Sequence, residues 1–416
     1  MPSETELDAP DPLLRPAWED TPDETDADRL GQPPAPPAKR RSPVAAGTDW
    51  VGEDLPTLLG PLCDATEALA RLDARAASAL DPVRDGLTAR MALAEAAGWL
   101  AHAHAWVHPL DLALRDLGLA GSTALTATGS GHKALPHTFR DTGGRDWDDP
   151  PFEAMADGDR VVADALALAR ALRRLPGAGA KAVFGSTIAA AEMLELLGAG
   201  WLKPDIFTAW WTEHAPPARS PNRHSGSARE RGPPDLPPLL AVAQAAAAWM
   251  ETTVTAQPAP HLGLFAAVAL LARRKLSAVF LPVWAAYPAA GFGDRDALPT
   301  LRTDAATRVV DWGKPVTWPH AFLHLVAESA RAGLRELDRL EAVAMKGRTV
   351  TSDCDKRSRL PDAFDALLRV PALTPKTLAA RLKIAPQTGT ALLRELQGRG
   401  MIREVTGRGS FRAFAL

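Results

Sequence analysis

The last 56 residues, from Pro361 to Leu416, constrain the fold more than any other part of the chain. Thr374-Pro375-Lys376 is a helix start, with Thr374 as the N-cap and Pro375 at the first helical position. Leu378 and Leu382 follow four apart on one face. Lys383-Ile384-Ala385 reads as a tight turn, and Pro386 opens a second helix with Leu392, Leu393 and Leu396 directed to a core. Gly398 and Gly400 stop that helix. Met401 to Val405 then reads as a strand, Thr406 to Gly409 as a turn and Ser410 to Phe414 as the returning strand. Helix, helix, turn, helix and a two-stranded wing with Arg408 at its tip are thus expected in that order.

This is the pattern of a winged helix-turn-helix, a fold that lays its second helix in the major groove of a duplex. Charge points to the same partner. From Lys356 to Leu416 there are 12 Lys or Arg against 4 Asp or Glu, a surplus of eight. The whole chain carries −3, which leaves −11 for residues 1–355. A basic terminal module on an acidic body is suited to phosphate binding by counterion release. On the recognition helix the outward positions are expected to be Gln387, Thr388, Thr390, Ala391 and Arg394. Gln can read adenine and Arg can read guanine there. Lys376, Lys383, Arg399 and Arg412 are candidates for phosphate contacts, and Arg408 for a phosphate or the minor groove. Gly389 has no side chain and permits close approach to the preceding helix. Ala385 stands where Ser or Thr would cap the recognition helix, an omission costing ~1 kcal/mol.

The body is expected to be helical, because alanine and leucine dominate it and the whole chain has a single tyrosine. Residues 1–55 are rich in proline and carry 13 acidic against 5 basic residues, so they read as a disordered acidic tail. Residues 56–345 form the body, with helices expected from Leu58, over 83–107, 110–119, 152–175, 181–197, 239–252 and 262–275, and finally over 319–345. Residues 346–360 read as a polar, basic linker into the terminal module over 361–416. Two distant cysteines, Cys63 and Cys354, make no disulfide framework and suit a reducing cytoplasm. The apolar run Leu262 to Ala272 is too short to span a bilayer, and the N-terminal residues lack a signal-peptide pattern.

Several patterns resemble catalytic or ligand motifs without completing them. Gly129-Ser130-Gly131-His132-Lys133 lacks the upstream glycine and the following Ser or Thr of a phosphate loop. His104 and His108 can share a helix face, but His102 points elsewhere, so structural histidines are expected rather than a metal site. No cofactor is implied.

The segment order resembles the Fic family, helical proteins that often end in a winged helix. The likeness rests on Pro233 to Leu240, on His261 to Leu276 followed by Phe280-Leu281-Pro282, and on the long helix leading to the terminal module. Active Fic proteins carry His-x-Phe-x-[Asp/Glu]-Gly-Asn-Gly-Arg. Here His261 is followed by Leu262-Gly263-Leu264-Phe265, with no acid, phosphate cradle or arginine clamp. The resemblance therefore implies a degenerate body that is not an AMP-transferring enzyme. A closer resemblance is to a bacterial, often plasmid-borne family joining a large domain of unknown function to a C-terminal helix-turn-helix DNA-binding domain. Arg357 to Pro361 and Arg403 to Phe414 carry it. The expectation is a mainly α, cytoplasmic transcriptional regulator that binds duplex DNA and no membrane, its body open to homodimerisation or a small ligand. A winged helix acting on other proteins is the alternative, and a divergent Fic-type nucleotidyltransferase a second.

Overall fold

The structure is a computed structural model that describes residues 49–102, 107–119, 151–176, 210, 236–252, 267, 270, 276–287, 308–309, 315–316, 318–355, 357–406 and 412–416. The fold is mainly helical. Helix α1 (Asp49–Ser78) buries Leu58, Ala65, Leu69 and Leu72, the stripe that the spacing predicts. It starts at Asp49, inside the segment expected to lack structure, and runs through Pro56 and Pro61. The apolar stripe downstream supports these turns although each proline removes one backbone hydrogen bond. Helix α2 (Asp81–His102) follows after a two-residue break, then α3 (Pro109–Asp116) and α4 (Pro151–Arg174). The side chain of His108 caps α3, its Nδ1 accepting from the Leu110 amide at 3.1 Å. Helix α5 (Pro238–Thr252) receives the indole N–H groups of Trp210 and Trp318, which donate to the Ala245 and Ala243 carbonyls at 2.9 Å. Strands β1 (Arg308–Val309) and β2 (Pro315–Val316) pair antiparallel.

The long helix α6 (Trp318–Thr351) is the axis of the body. Leu323, Val326, Leu337 and Leu340 are buried along it, as their spacing predicts, and Leu334 is partly buried. It lies beside α1, with Arg331 paired to Asp64 and Arg75 to Asp338 and Glu341. Between α1, α2 and α6 runs an irregular segment, residues 276–287, most of it buried. A buried segment outside helix and sheet must place its N–H groups elsewhere. Asp73 accepts from the amides of Ser277, Ala278 and Val279. The buried Glu95 carboxylate accepts from Val283 and Ala285, each at 2.9 Å. Ser329 Oγ accepts from Ala286 and donates to the Val283 carbonyl. Gly98 is required here, because a Cβ would sit 1.7 Å from the Trp284 carbonyl oxygen.

The expected linker over 346–360 needs correction. Helix α6 continues to Thr351, and eight residues separate it from α7 (Leu360–Leu368). The cause is a packing contact that a polar sequence does not advertise. Gly347 lies against the Phe364 ring so closely that a Cβ would fall 2.1 Å from its carbons. The terminal module follows as α8 (Pro375–Leu382), α9 (Pro386–Gly398), β3 (Arg403–Glu404) and β4 (Phe414–Ala415). Arg403 pairs with Ala415 and Glu404 with Phe414. A third strand position, Leu373, exchanges both backbone hydrogen bonds with Phe414 at 2.9 and 2.8 Å. The expected helices over 181–197 and 262–275 lie outside the described residues, except Ala267 and Leu270, which are helical and buried.

Candidate nucleic-acid interface

Helix α8 starts where its sequence requires. Thr374 Oγ1 accepts from the Thr377 amide at 3.1 Å, and Thr377 Oγ1 accepts from the Thr374 amide at 2.9 Å, a reciprocal capping box. The chain leaves α8 through Lys383 at φ 55°, ψ 46°, the one non-glycine residue with positive φ among the described residues. That left-handed step turns the backbone sharply into α9. Gly389 is buried where the helices cross, and a Cβ there would lie 2.8 Å from the Pro375 carbonyl oxygen. Leu378 and Ala379 face Leu392, Leu393 and Leu396 in the core of the module. Ala385 occupies the N-cap of α9 and makes no side-chain cap.

This packing turns Gln387, Thr388, Ala391 and Arg394 outward on α9, all exposed. Thr390 is half-buried, and its hydroxyl donates back to the Pro386 carbonyl at 3.1 Å. Lys376, at the start of α8, and Lys383, in the turn, are exposed on the same two elements. Neither they nor Arg394 have an ion-pair partner among the described residues. Arg381 and Arg403 share that condition, as does Arg357. Periodicity already placed Arg381 outward, since Leu378 and Leu382 point inward, yet it was not among the expected contacts.

Arg399 is placed differently from its expected role. Its guanidinium donates to the Val350 carbonyl at 2.6 Å, to Asp353 at 3.0 Å and to Glu395 at 2.9 Å. The bond to Arg399 holds the Asp353 carboxyl below the usual range. Arg399 therefore ties α9 to the end of α6. Arg412 is half-buried and 3.7 Å from Glu404 on the paired strand. Arg359 pairs with Asp362, and Arg369 with Asp85. Arg408 lies outside the described residues.

The module is docked on the body through α7. Arg90 of α2, mostly buried, donates to the carbonyls of Leu367, Leu368 and Val370 at 3.3, 2.7 and 2.9 Å. Those are carbonyls at the open C-terminal end of α7. Burial pulls the Arg90 pKa down to about 10, with Glu336 opposing. Gly86, one turn earlier, lets the Leu368 carbonyl approach α2; a Cβ would fall 2.0 Å from that oxygen. No local sequence signal marks Gly86 and Arg90 as partners of a segment some 280 residues away.

Residues 360–416 match a family described as an HTH DNA binding domain. Among curated proteins none matches the sequence. The chain thus carries a C-terminal helix-turn-helix DNA-binding domain on a helical body. Among the described residues no helix is long and apolar enough to cross a membrane.

Proposed function

We propose that this protein is a sequence-specific DNA-binding regulator of transcription, working in the cytoplasm, with α9 as its recognition helix. The outward side chain of Arg394, without an ion-pair partner among the described residues and on one face with Gln387, Thr388 and Ala391, is the observation that carries the reading. An Arg in the major groove reads guanine with two hydrogen bonds, and Gln reads adenine. Lys376 and Lys383 flank that face and serve as phosphate contacts that set register. Arg399 is better assigned to the junction with α6 than to DNA, given its three acceptors.

The body is read as non-catalytic. Its likeness to the Fic family stops at His261, since the motif positions that follow offer no acid and no glycine-rich anion cradle, and Ala269 stands where the clamping arginine would. A bound triphosphate left without such donors costs several kcal/mol. The body then serves dimer formation or the sensing of a small ligand.

Selection of bound fragments from random duplex DNA with the full chain tests the reading. Arg394→Ala is expected to cost roughly 1–3 kcal/mol and to relax preference at one base position, while Lys376→Ala weakens all sites alike. An Arg394→Ala protein that keeps the parental preference means that α9 does not read bases as assigned. Selection that enriches nothing, together with salt-insensitive capture of a protein partner, favours the alternative of a protein-interaction module. Nucleotide binding lost in His261→Ala would restore the enzyme reading.

A further inference from the structure

The two ends of α9 are anchored by different devices. Near its start, Gly389 lies against the Pro375 carbonyl of α8 with no room for a Cβ. At its finish Arg399 is the C-cap. The Arg399 amide donates to the Glu395 carbonyl at 2.9 Å, while the guanidinium reaches out of the module to α6. Leu392, Leu393 and Leu396 lie between the two ends and are buried. Apolar burial is non-directional, so those leucines hold α9 against the module without fixing its tilt. The tilt is set at the ends.

The finish of α6 explains where the guanidinium goes. A helix leaves its last four carbonyls without partners of its own. In α6 the Thr349 and Thr351 carbonyls accept from the nearby amides of Ser352 and Cys354 at 3.3 and 3.2 Å. The Val350 carbonyl instead accepts from Arg399, 49 residues away along the chain, at 2.6 Å. A cation at a helix C-terminus also meets the negative end of the helix dipole. Asp353, just past that end, and Glu395, one turn back on α9, complete the grip at 3.0 and 2.9 Å. Exposed ion pairs by themselves hold weakly, and the carbonyl bond makes this one directional.

We propose that Arg399 is a positioning residue for DNA recognition: it fixes the angle at which α9 presents Gln387 and Arg394, and so carries sequence discrimination without itself contacting DNA. This rests on the DNA-binding reading above. Arg394 stands midway between Gly389 and Arg399, roughly 7.5 Å along the helix from each. About 5° of swing about Gly389 moves the helix at Arg394 by roughly 0.7 Å. That exceeds the ~0.5 Å range of good hydrogen-bond lengths, and a two-bond contact to a base edge has the least room for it. Phosphate contacts carry no sequence information, so a loosened α9 loses discrimination before it loses general affinity.

The experiment uses the full chain, the duplex it selects, and a copy changed at the base pair whose preference Arg394→Ala relaxes. Binding to both is measured across a range of salt for the parent, Arg399→Gln and Asp353→Asn. Arg399→Gln is expected to lower the ratio of the two affinities about fivefold, the loss of part of one base contact, with the log–log salt slope unchanged. Asp353→Asn, at an exposed position, keeps the arginine but loosens its hold, and is expected to lower the ratio in the same direction by less. It carries the test if Arg399→Gln does not fold. A slope shallower by about 0.9 in Arg399→Gln makes Arg399 a phosphate contact and overturns the proposal. Tighter binding of both duplexes by Asp353→Asn, at an unchanged ratio, overturns it in the same way. An unchanged ratio in both variants reduces the grip to a structural tie and also overturns it, leaving the recognition helix standing. If the parent selects no duplex, the DNA-binding reading itself fails and takes the positioning role with it.

Discussion

Lys383 is the residue at which stability and function pull apart. A left-handed backbone costs an L-residue roughly 1–2 kcal/mol, and glycine avoids that cost. The turn nonetheless carries lysine at φ 55°. Lys383→Gly is expected to stabilise the chain by up to about 1 kcal/mol and to weaken DNA binding with a shallower salt slope. Thermal unfolding and salt-dependent binding on the same protein check both halves. A variant that is less stable, or binds as well as its parent, removes the functional account of the strain. Glu95 is the second residue of this kind. Burial pushes its pKa up from 4.5 to about 7, against the pull of the Trp284, Val283 and Ala285 amides. A carboxyl with a raised folded-state pKa stabilises the fold fully below its unfolded value, and that contribution is lost as pH rises through the folded one. Between pH 5 and 8, the denaturation midpoint of the parent should therefore fall relative to that of Glu95→Gln. Parallel midpoints would show that the carboxylate is not desolvated as its burial implies.

At the scale of elements, α9 is well packed and poorly begun. Its inner leucines are buried, but Ala385 offers no oxygen to the free amides of its first turn. Ala385→Ser should add ~1 kcal/mol and slow hydrogen exchange in the first turn of α9. A change below a few tenths would mean that water already satisfies those amides. The order α7, α8, turn, α9, wing was legible because local rules write it: caps, proline at the first position, glycine stops and apolar spacing all lie within ten residues of what they specify. The outward face of α9 was legible for the same reason. Three things were not. Leu373 joins the wing sheet as a single bridge, too short to alternate. Arg399, outward by spacing, is claimed by the Val350 carbonyl of α6 and by the Asp353 carboxylate just past its end. Helix α6 continues through a glycine and polar residues that signal a linker locally, because Phe364 covers that glycine from another helix.

For the whole molecule the terminal domain is a shared structure rather than an appendage. Helix α7 buries Leu360, Phe364, Leu367 and Leu368, and the body supplies donors for its last carbonyls. Arg90→Met keeps the bulk but strips those bonds, and should cost about 3 kcal/mol. The loss should show as faster hydrogen exchange in α7, with the interior of α1 little changed. Uniform loosening across the chain would instead make Arg90 a general stabiliser. A fragment spanning 356–416 should for the same reason unfold at lower denaturant than that segment does within the chain.

Helix α6 gives this arrangement a mechanical side. Ser329 grips the buried segment at one place on it, and Gly347 seats Phe364 eighteen residues further on. At 1.5 Å per residue that separation is roughly 27 Å along a single unbroken rod. A rod of that length is a lever. About 5° of tilt at the Ser329 end moves the Phe364 end by roughly 2 Å, more than half of the roughly 3.4 Å rise between neighbouring bases on a duplex, so a small rearrangement around Val283 would reach α9 as a change of aim.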